Sequence, residues 1–194
     1  MFVTTPLSAK MPFHCDPDNK ALREALDAPD GFPVSGHRQR TDAVRKVYPH
    51  TVVFRELIDE STCVLCAFGL VGNRTYRAIA LNFNRKIFAG KAFMEWLIKE
   101  HLVEIEEPKK GCLALYFDKG IWQHVGMVSA PGRVISQWGT FPVYEHNVCE
   151  VPARYGDEVR YFEMPDRRDP LRLFLEFART RGLSEADLAR ALKA

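Results

Sequence analysis

The chain has 194 residues and a hydrophobic content of 46%, which suffices for the core of one globular domain with an N-terminal extension. Twenty-seven basic and 25 acidic residues leave a formal net charge of +2, so the charge does not predict a nucleic-acid partner. We find no apolar run long enough to span a membrane and no Sec-type signal peptide. We therefore expect a cytoplasmic protein, or one that a signal-less secretion system exports.

The five cysteines are an odd number and do not form the pattern of a small disulfide-rich scaffold, so reduced thiols are the simplest expectation. Cys63 and Cys66 have the spacing of half a zinc site. Cys112 and Cys149 are isolated, however, and a structural zinc needs four ligands at compact spacings. We therefore expect neither a metal nor another cofactor.

The first part of the chain is interpreted as an extension that covers residues 1–44 and is rich in Pro, Asp and Gly. The spacing of Leu22 and Leu26 predicts one short helix at about 18–27. A helical or irregular segment is expected at about 41–48. The run Val52-Val53-Phe54 is strand-like but short.

The main domain is predicted over residues 45–165, and it should begin with helices. The polar stretch Asp59-Glu60-Ser61-Thr62 is typical of a helix N-cap region, so a helix should start at about 63 and end between Gly69 and Gly72. Residues 73–90 are predicted to be irregular and polar. The apolar spacing over 91–101 predicts an amphipathic helix.

After Gly111 the pattern changes to a period of two, with β-branched and aromatic residues. The predicted strands cover residues 112–118, 122–129, 133–138 and 157–163. Turn residues at Asp118-Lys119-Gly120 and Ala130-Pro131-Gly132 predict hairpins. A C-terminal tail, residues 166–194, should contain two helices that start at Asp169 and Ser184. Helices followed by an antiparallel meander indicate an α+β fold.

Cys63 and His124 are the best candidates for catalysis. A thiol at a helix start can be activated, because the helix N-terminus and a nearby imidazole lower the thiol pKa from about 8.5. An imidazole can act as general base and then as general acid in acyl transfer. The alternatives are a buried cysteine that packs as a small hydrophobe and a structural strand histidine. Gly126, on the same strand face as His124, indicates either space for a substrate or close strand packing.

The motifs resemble, in their order and spacing, the papain-like superfamily and its NlpC-type branch, where the nucleophilic Cys opens a helix. The branch carries Gly-Asp-Leu and His-Val-Gly-Ile on its following strands, and this chain has Gly111-Cys112-Leu113 and His124-Val125-Gly126-Met127. Thr62-Cys63 with Ala67-Phe68-Gly69 is also similar to the Asn-Cys-x-x-Tyr-Ala-Leu-Gly motif of a second bacterial group in that superfamily. Cys112 and Thr62 depart from the residues that the family usually has at these positions.

The resemblance implies a papain-like fold, with N-terminal helices packed on an antiparallel sheet and with C-terminal helices. It also implies a cysteine hydrolase, a peptidase or amidase, that acts on a cell-wall peptide or a protein. Cys63 would be the nucleophile and His124 the base. The family's third polar residue, which orients the imidazole, falls at Ser136. Gln137 is the second candidate for this role, although in a regular strand it would face the other side of the sheet and could turn inward only at a bulge.

Three other interpretations remain open at this point. The chain could be a catalytically silent papain-like module that binds a peptide or protein, since a conventional orienting residue is missing. His146 beside Glu145 is a second acid–base candidate. A DNA-binding regulator that uses the C-terminal helices is a third alternative, although we expect no nucleic-acid partner. The sequence does not predict the oligomeric state.

Overall fold

The computed structural model describes residues 13–27, 34–58, 61–82, 87–139, 142–166, 169–191 and 193. Within these ranges the chain forms seven α-helices and an eight-stranded antiparallel sheet, so the α+β class is confirmed. The strand order is β1-β8-β4-β5-β6-β7-β2, and β3 also pairs with β8. The strands are β1 (Phe13–His14), β2 (Val53–Leu57), β3 (Glu104–Ile105), β4 (Leu113–Asp118), β5 (Ile121–Ala130), β6 (Arg133–Gln137), β7 (Pro142–Asn147) and β8 (Glu158–Phe162).

Helices precede and follow the central meander of the sheet. They are α1 (Lys20–Leu26), α2 (Val34–Arg45), α3 (Cys63–Ala67), α4 (Arg74–Asn82), α5 (Lys91–Glu100), α6 (Asp169–Thr180) and α7 (Glu185–Ala191). The prediction that residues 73–90 are irregular was wrong over α4. Its start is capped by Asn73, whose side-chain oxygen accepts the Tyr76 N–H at 3.0 Å.

Two hydrophobic clusters cover the two faces of the sheet. Leu113, Leu115 and Phe117 of β4 belong to the first cluster, together with apolar residues of α3 to α6. Ala114 and Tyr116 of the same strand belong to the second cluster, together with residues of α1 and α2. Because alternate residues of a strand point to opposite faces, β4 is buried on both sides.

A disulfide joins Cys15, just after β1, to Cys149, just after β7. The expectation that all five cysteines are reduced thiols was therefore wrong. The two residues lie 134 positions apart in sequence. They meet because β1 pairs with β8 and Cys149 lies in the segment that connects β7 to β8, and no local pattern of the sequence shows that. Cys63, Cys66 and Cys112 are free thiols.

None of the helices in the described part of the chain combines the length and the apolar character that crossing a membrane requires.

Candidate functional site

Cys63 is the first residue of α3, as the sequence predicts. Thr62, directly before it, has extended backbone angles, and its Oγ1 accepts the Leu65 N–H at 3.3 Å. This is the N-cap interaction that fixes where a helix begins. The helix is five residues long and ends before Gly69, which has a φ of +62°.

The start of α3 lies against β5, at a place where β5 has no partner strand on that side. The β5–β6 ladder covers only Met127 to Ala130 of β5. The Val125 backbone, beyond the end of that ladder, hydrogen-bonds to the Cys63 sulfur. Because this bond lowers the thiol pKa, the Val125 N–H is the donor. The thiol therefore lies beside the residue that follows His124.

The His124 side chain lies in the middle of β5 and is only 1% exposed. Its ring is on the side of the second cluster, where it stacks on Tyr155 with centroids 3.8 Å apart and planes 6° apart. Tyr116 borders it at 5.6 Å. Within the described ranges, no group hydrogen-bonds to His124 Nε2. Packing, and not hydrogen bonding to that nitrogen, sets the orientation of the ring.

Burial determines the charge of both candidate catalytic groups. Desolvation raises the pKa of the Cys63 thiol to about 11, and the Val125 hydrogen bond offsets only part of that effect. Desolvation, followed by His146 and Arg154, lowers the pKa of His124 well below its ordinary value. The predicted lowering of the thiol pKa at the helix start was therefore wrong in direction. At neutral pH the resting pair is a neutral thiol and a neutral imidazole.

The two candidate orienting residues make their hydrogen bonds elsewhere. Ser136 Oγ lies 2.9 Å from His146 Nε2 and accepts the Trp138 indole N–H at 3.0 Å. Gln137 Nε2 donates to the Ile58 carbonyl at 3.5 Å. Neither of these bonds involves the His124 ring, so the orienting role of Ser136 or Gln137 stays a prediction.

His146 and Glu145 point to opposite faces of β7. The His146 Nδ1 lies 2.8 Å from the Asn147 carbonyl, so Nδ1 carries the proton and Nε2 accepts the Ser136 hydroxyl proton. Glu145 instead pairs with Arg55 and accepts a hydrogen bond from Ser129 at 2.8 Å. The two residues therefore do not form the acid–base pair that their adjacency in the sequence suggests.

Gly126 allows close strand packing. A Cβ at this position would lie 2.5 Å from the Val134 Cγ1 and 2.9 Å from the Ile135 carbonyl oxygen. Of the two interpretations of this glycine, the structure favours close packing over free space for a substrate.

Tyr155 is the residue of this site that sequence reasoning missed. It ends a 3-10 helix, Ala153–Tyr155, and its hydroxyl accepts the Gly139 N–H at 3.2 Å. It is also close enough to Cys63 to interact with it electrostatically. In the sequence, this segment has only the pattern of a turn before the last strand. No periodicity or motif connects it with His124.

A groove of about 450 Å³ opens beside Thr62, next to the candidate nucleophile. Most of its lining is apolar and comes from α3, α4 and the segment before α5, including Leu65, Leu70, Tyr76, Ala80 and Phe88. Across the described ranges, no three His, Cys, Asp or Glu side chains converge as a metal site would require.

Comparisons of the chain with protein-family models, with curated proteins and with solved structures found no match.

Proposed function

We propose that the protein is a papain-like cysteine hydrolase that acts on an amide bond, with Cys63 as the nucleophile and His124 as the general base. The observation that carries this proposal is the hydrogen bond between the Cys63 sulfur and the Val125 backbone, which holds the thiol of a helix start next to the residue that follows His124. The resemblance of the motifs around both residues supports the same assignment.

The neutral resting pair determines the order of the proton transfers. As the Cys63 sulfur attacks the carbonyl carbon, His124 takes the thiol proton, and the carbonyl oxygen becomes an oxyanion near the backbone N–H at the start of α3. The C–N bond then breaks, and the imidazolium protonates the leaving amine. A water molecule, deprotonated by His124, hydrolyses the thioester and restores the thiol.

The substrate that we propose is a peptide or a protein, including a cell-wall peptide as in the NlpC-type branch. The groove beside Thr62 is suited to bind an apolar side chain of the substrate near the scissile bond, because most of its lining is apolar. Cys63 itself does not line this groove, so the scissile bond would lie past its Thr62 end.

A specific observation favours a second candidate, a catalytically silent module of the same kind that binds a peptide or protein. His124 is almost fully buried, and its Nε2 has no hydrogen-bond partner among the described residues. General-base catalysis requires the imidazole and the thiol within about 2.6–3.2 Å, although such contacts are often looser before substrate binds. A silent module has no such requirement.

Acyl transfer from p-nitrophenyl acetate separates the two candidates. A hydrolase forms an acetyl thioester on Cys63, which mass spectrometry of the intact protein and of its peptides detects, with a burst of nitrophenolate. Cys63→Ser and His124→Ala should each reduce the burst at least tenfold. Cys66→Ser, a change of a free thiol on the same helix, is the matched control and should retain it. A wild-type protein that shows no acetyl group on Cys63 would contradict the hydrolase and favour the binding module.

A further inference from the structure

We infer that Tyr155 is the positioning residue of the site. It holds the His124 ring in place and so has the role of orienting the imidazole, for which the sequence offers Ser136 or Gln137. This inference rests on the proposed function in so far as positioning matters for acyl transfer. The placement of the ring itself can be tested without any activity.

The stacking geometry is the first argument. The two rings are almost parallel, at 6°, with centroids 3.8 Å apart, so the tyrosine covers one face of the imidazole. The imidazole cannot turn about its Cβ–Cγ bond unless Tyr155 moves away. The contact is made through the ring face and does not involve Nε2, which has no hydrogen-bond partner among the described residues.

Tyr155 also reaches towards the nucleophile. Its ring face covers His124, while the residue is close enough to Cys63 for an electrostatic interaction. Its hydroxyl is held by the Gly139 N–H at 3.2 Å. The tyrosine ring is therefore fixed at its face, against the imidazole, and at its hydroxyl, by Gly139.

The backbone around Tyr155 is tightly held against β4. Gly156 follows it with a φ of +86°, and a Cβ there would lie 2.0 Å from the Phe117 carbonyl oxygen. Only glycine fits so close a contact in that conformation. The Tyr155 N–H donates to the Pro152 carbonyl at 3.1 Å. The loop therefore cannot shift along the sheet without losing this contact.

Helix α1 holds the same loop from the other side. The Arg23 guanidinium donates to the Val151 carbonyl at 3.3 Å and also to the Gly156 carbonyl. Asp27 pairs with Arg154 at 2.6 Å and accepts its backbone N–H at 3.2 Å. These bonds hold the chain on both sides of Tyr155. The Tyr155 ring is therefore a fixed part of the structure and not a mobile side chain over the imidazole.

The test compares Tyr155→Phe, which keeps the ring, with Tyr155→Leu, which removes it. Tyr144→Leu is the matched control, because Tyr144 is also a buried tyrosine and its ring packs on Trp138 and Phe54. We expect acetyl transfer to Cys63 within about threefold of wild type for Tyr155→Phe and for Tyr144→Leu. For Tyr155→Leu we expect a loss of at least tenfold. Equal rates in the two Tyr155 variants, or an equal loss in Tyr144→Leu, would overturn the inference.

A second readout does not depend on activity. The NMR titration of His124 should move towards the ordinary histidine range in Tyr155→Leu, because water reaches the freed ring, and should not move in Tyr144→Leu. An unchanged titration in Tyr155→Leu would overturn the positioning role. If wild-type protein transfers no acetyl group but this titration shifts as expected, the hydrolase proposal fails and the placement of the ring by Tyr155 stands.

A variant outside the core covers the case in which Tyr155→Leu does not fold. Asp27→Asn removes the ion pair with Arg154 and leaves Tyr155 intact. We expect a loss of about threefold or more in acetyl transfer. Asp169→Asn, which removes an ion pair with Arg172 on α6, is the control and should have no effect. If both variants act like wild type, the contact of Asp27 with Arg154 does not hold Tyr155 in place, and that part of the inference is overturned.

Discussion

At the scale of single residues, the environment of Cys63 is set by two opposing effects. The start of a helix favours a thiolate through the helix dipole, but α3 has only five residues, and the dipole effect is confined to a terminal turn. Removal of water from around the sulfur favours the neutral thiol. The raised pKa, about 11, shows that desolvation is the larger effect.

The first prediction concerns the pH dependence of Cys63 alkylation by iodoacetamide, followed by peptide mapping. With a thiol pKa of about 11, about one molecule in 10⁴ carries a thiolate at pH 7. We expect the alkylation rate to rise about tenfold per pH unit from pH 7 to pH 10, since only the thiolate reacts. A rate that levels off below pH 8 would contradict this and would indicate a preformed thiolate–imidazolium pair.

At the scale of elements, the sequence predicts those parts of the fold that depend on local patterns. The strands β4, β5, β6 and β8 lie within two residues of their predicted bounds, because period-two alternation and hairpin turns mark them. The start of α3 at Cys63 is also confirmed, because the N-cap residue Thr62 marks it. Strand β7 was missed, since Glu145, His146 and Asn147 give it no apolar alternation.

The candidate site could be predicted only in part, because its residues come from distant segments. Cys63 and His124 stand out through local motifs. Tyr155 reaches His124 through the segment between β7 and β8, and the Cys15–Cys149 disulfide forms through the same segment and the pairing of β1 with β8. Such contacts depend on how the whole sheet assembles, and a single sequence contains no periodic signal for them.

The second prediction concerns the N-cap of α3. Thr62→Ala removes the acceptor for the Leu65 N–H and should lower the free energy of unfolding by about 1 kcal/mol, measured by urea denaturation. Thr62→Ser keeps an acceptor oxygen and should cost less than half as much. Equal losses in the two variants would mean that the Thr62 methyl group, and not the cap, stabilises the helix start.

At the scale of the whole molecule, the N-terminal segment and the sheet depend on each other. The disulfide closes a loop of 134 residues in sequence separation. In addition, α1 contributes Leu22 and Leu26 to the second hydrophobic cluster. The segment interpreted from sequence as an extension therefore supports both the core and the loop that carries Tyr155.

The third prediction is that removal of the disulfide, by dithiothreitol or by Cys15→Ala with Cys149→Ala, lowers stability. The chain-entropy model gives an upper value of about 5 kcal/mol for so long a loop, and native disulfides typically contribute about 2–5 kcal/mol. Urea denaturation with and without reductant measures the loss, and a thiol count verifies reduction. An unchanged midpoint after full reduction would contradict this prediction.

The last prediction follows from His146, which is fully buried and bonded to Ser136. Burial lowers its pKa from 6.5 to about 4, so the unfolded chain binds its proton more readily than the folded chain does. The contribution of neutral His146 to the free energy of unfolding is complete above about pH 6.5 and decreases as the pH falls towards 4. Its full size is on the order of 3 kcal/mol.

We therefore expect the free energy of unfolding, from urea denaturation, to fall between pH 7 and pH 4.5. In His146→Gln the fall should be smaller, because one titrating group is gone, and the remaining decrease is assigned to His124, His37 and His50, whose pKa values are also lowered by burial. Adding His124→Gln should flatten the profile further. If His146→Gln loses as much stability on acidification as wild type, protonation of His146 does not destabilise the folded protein. The folded state would then accommodate a charged imidazolium beside Ser136.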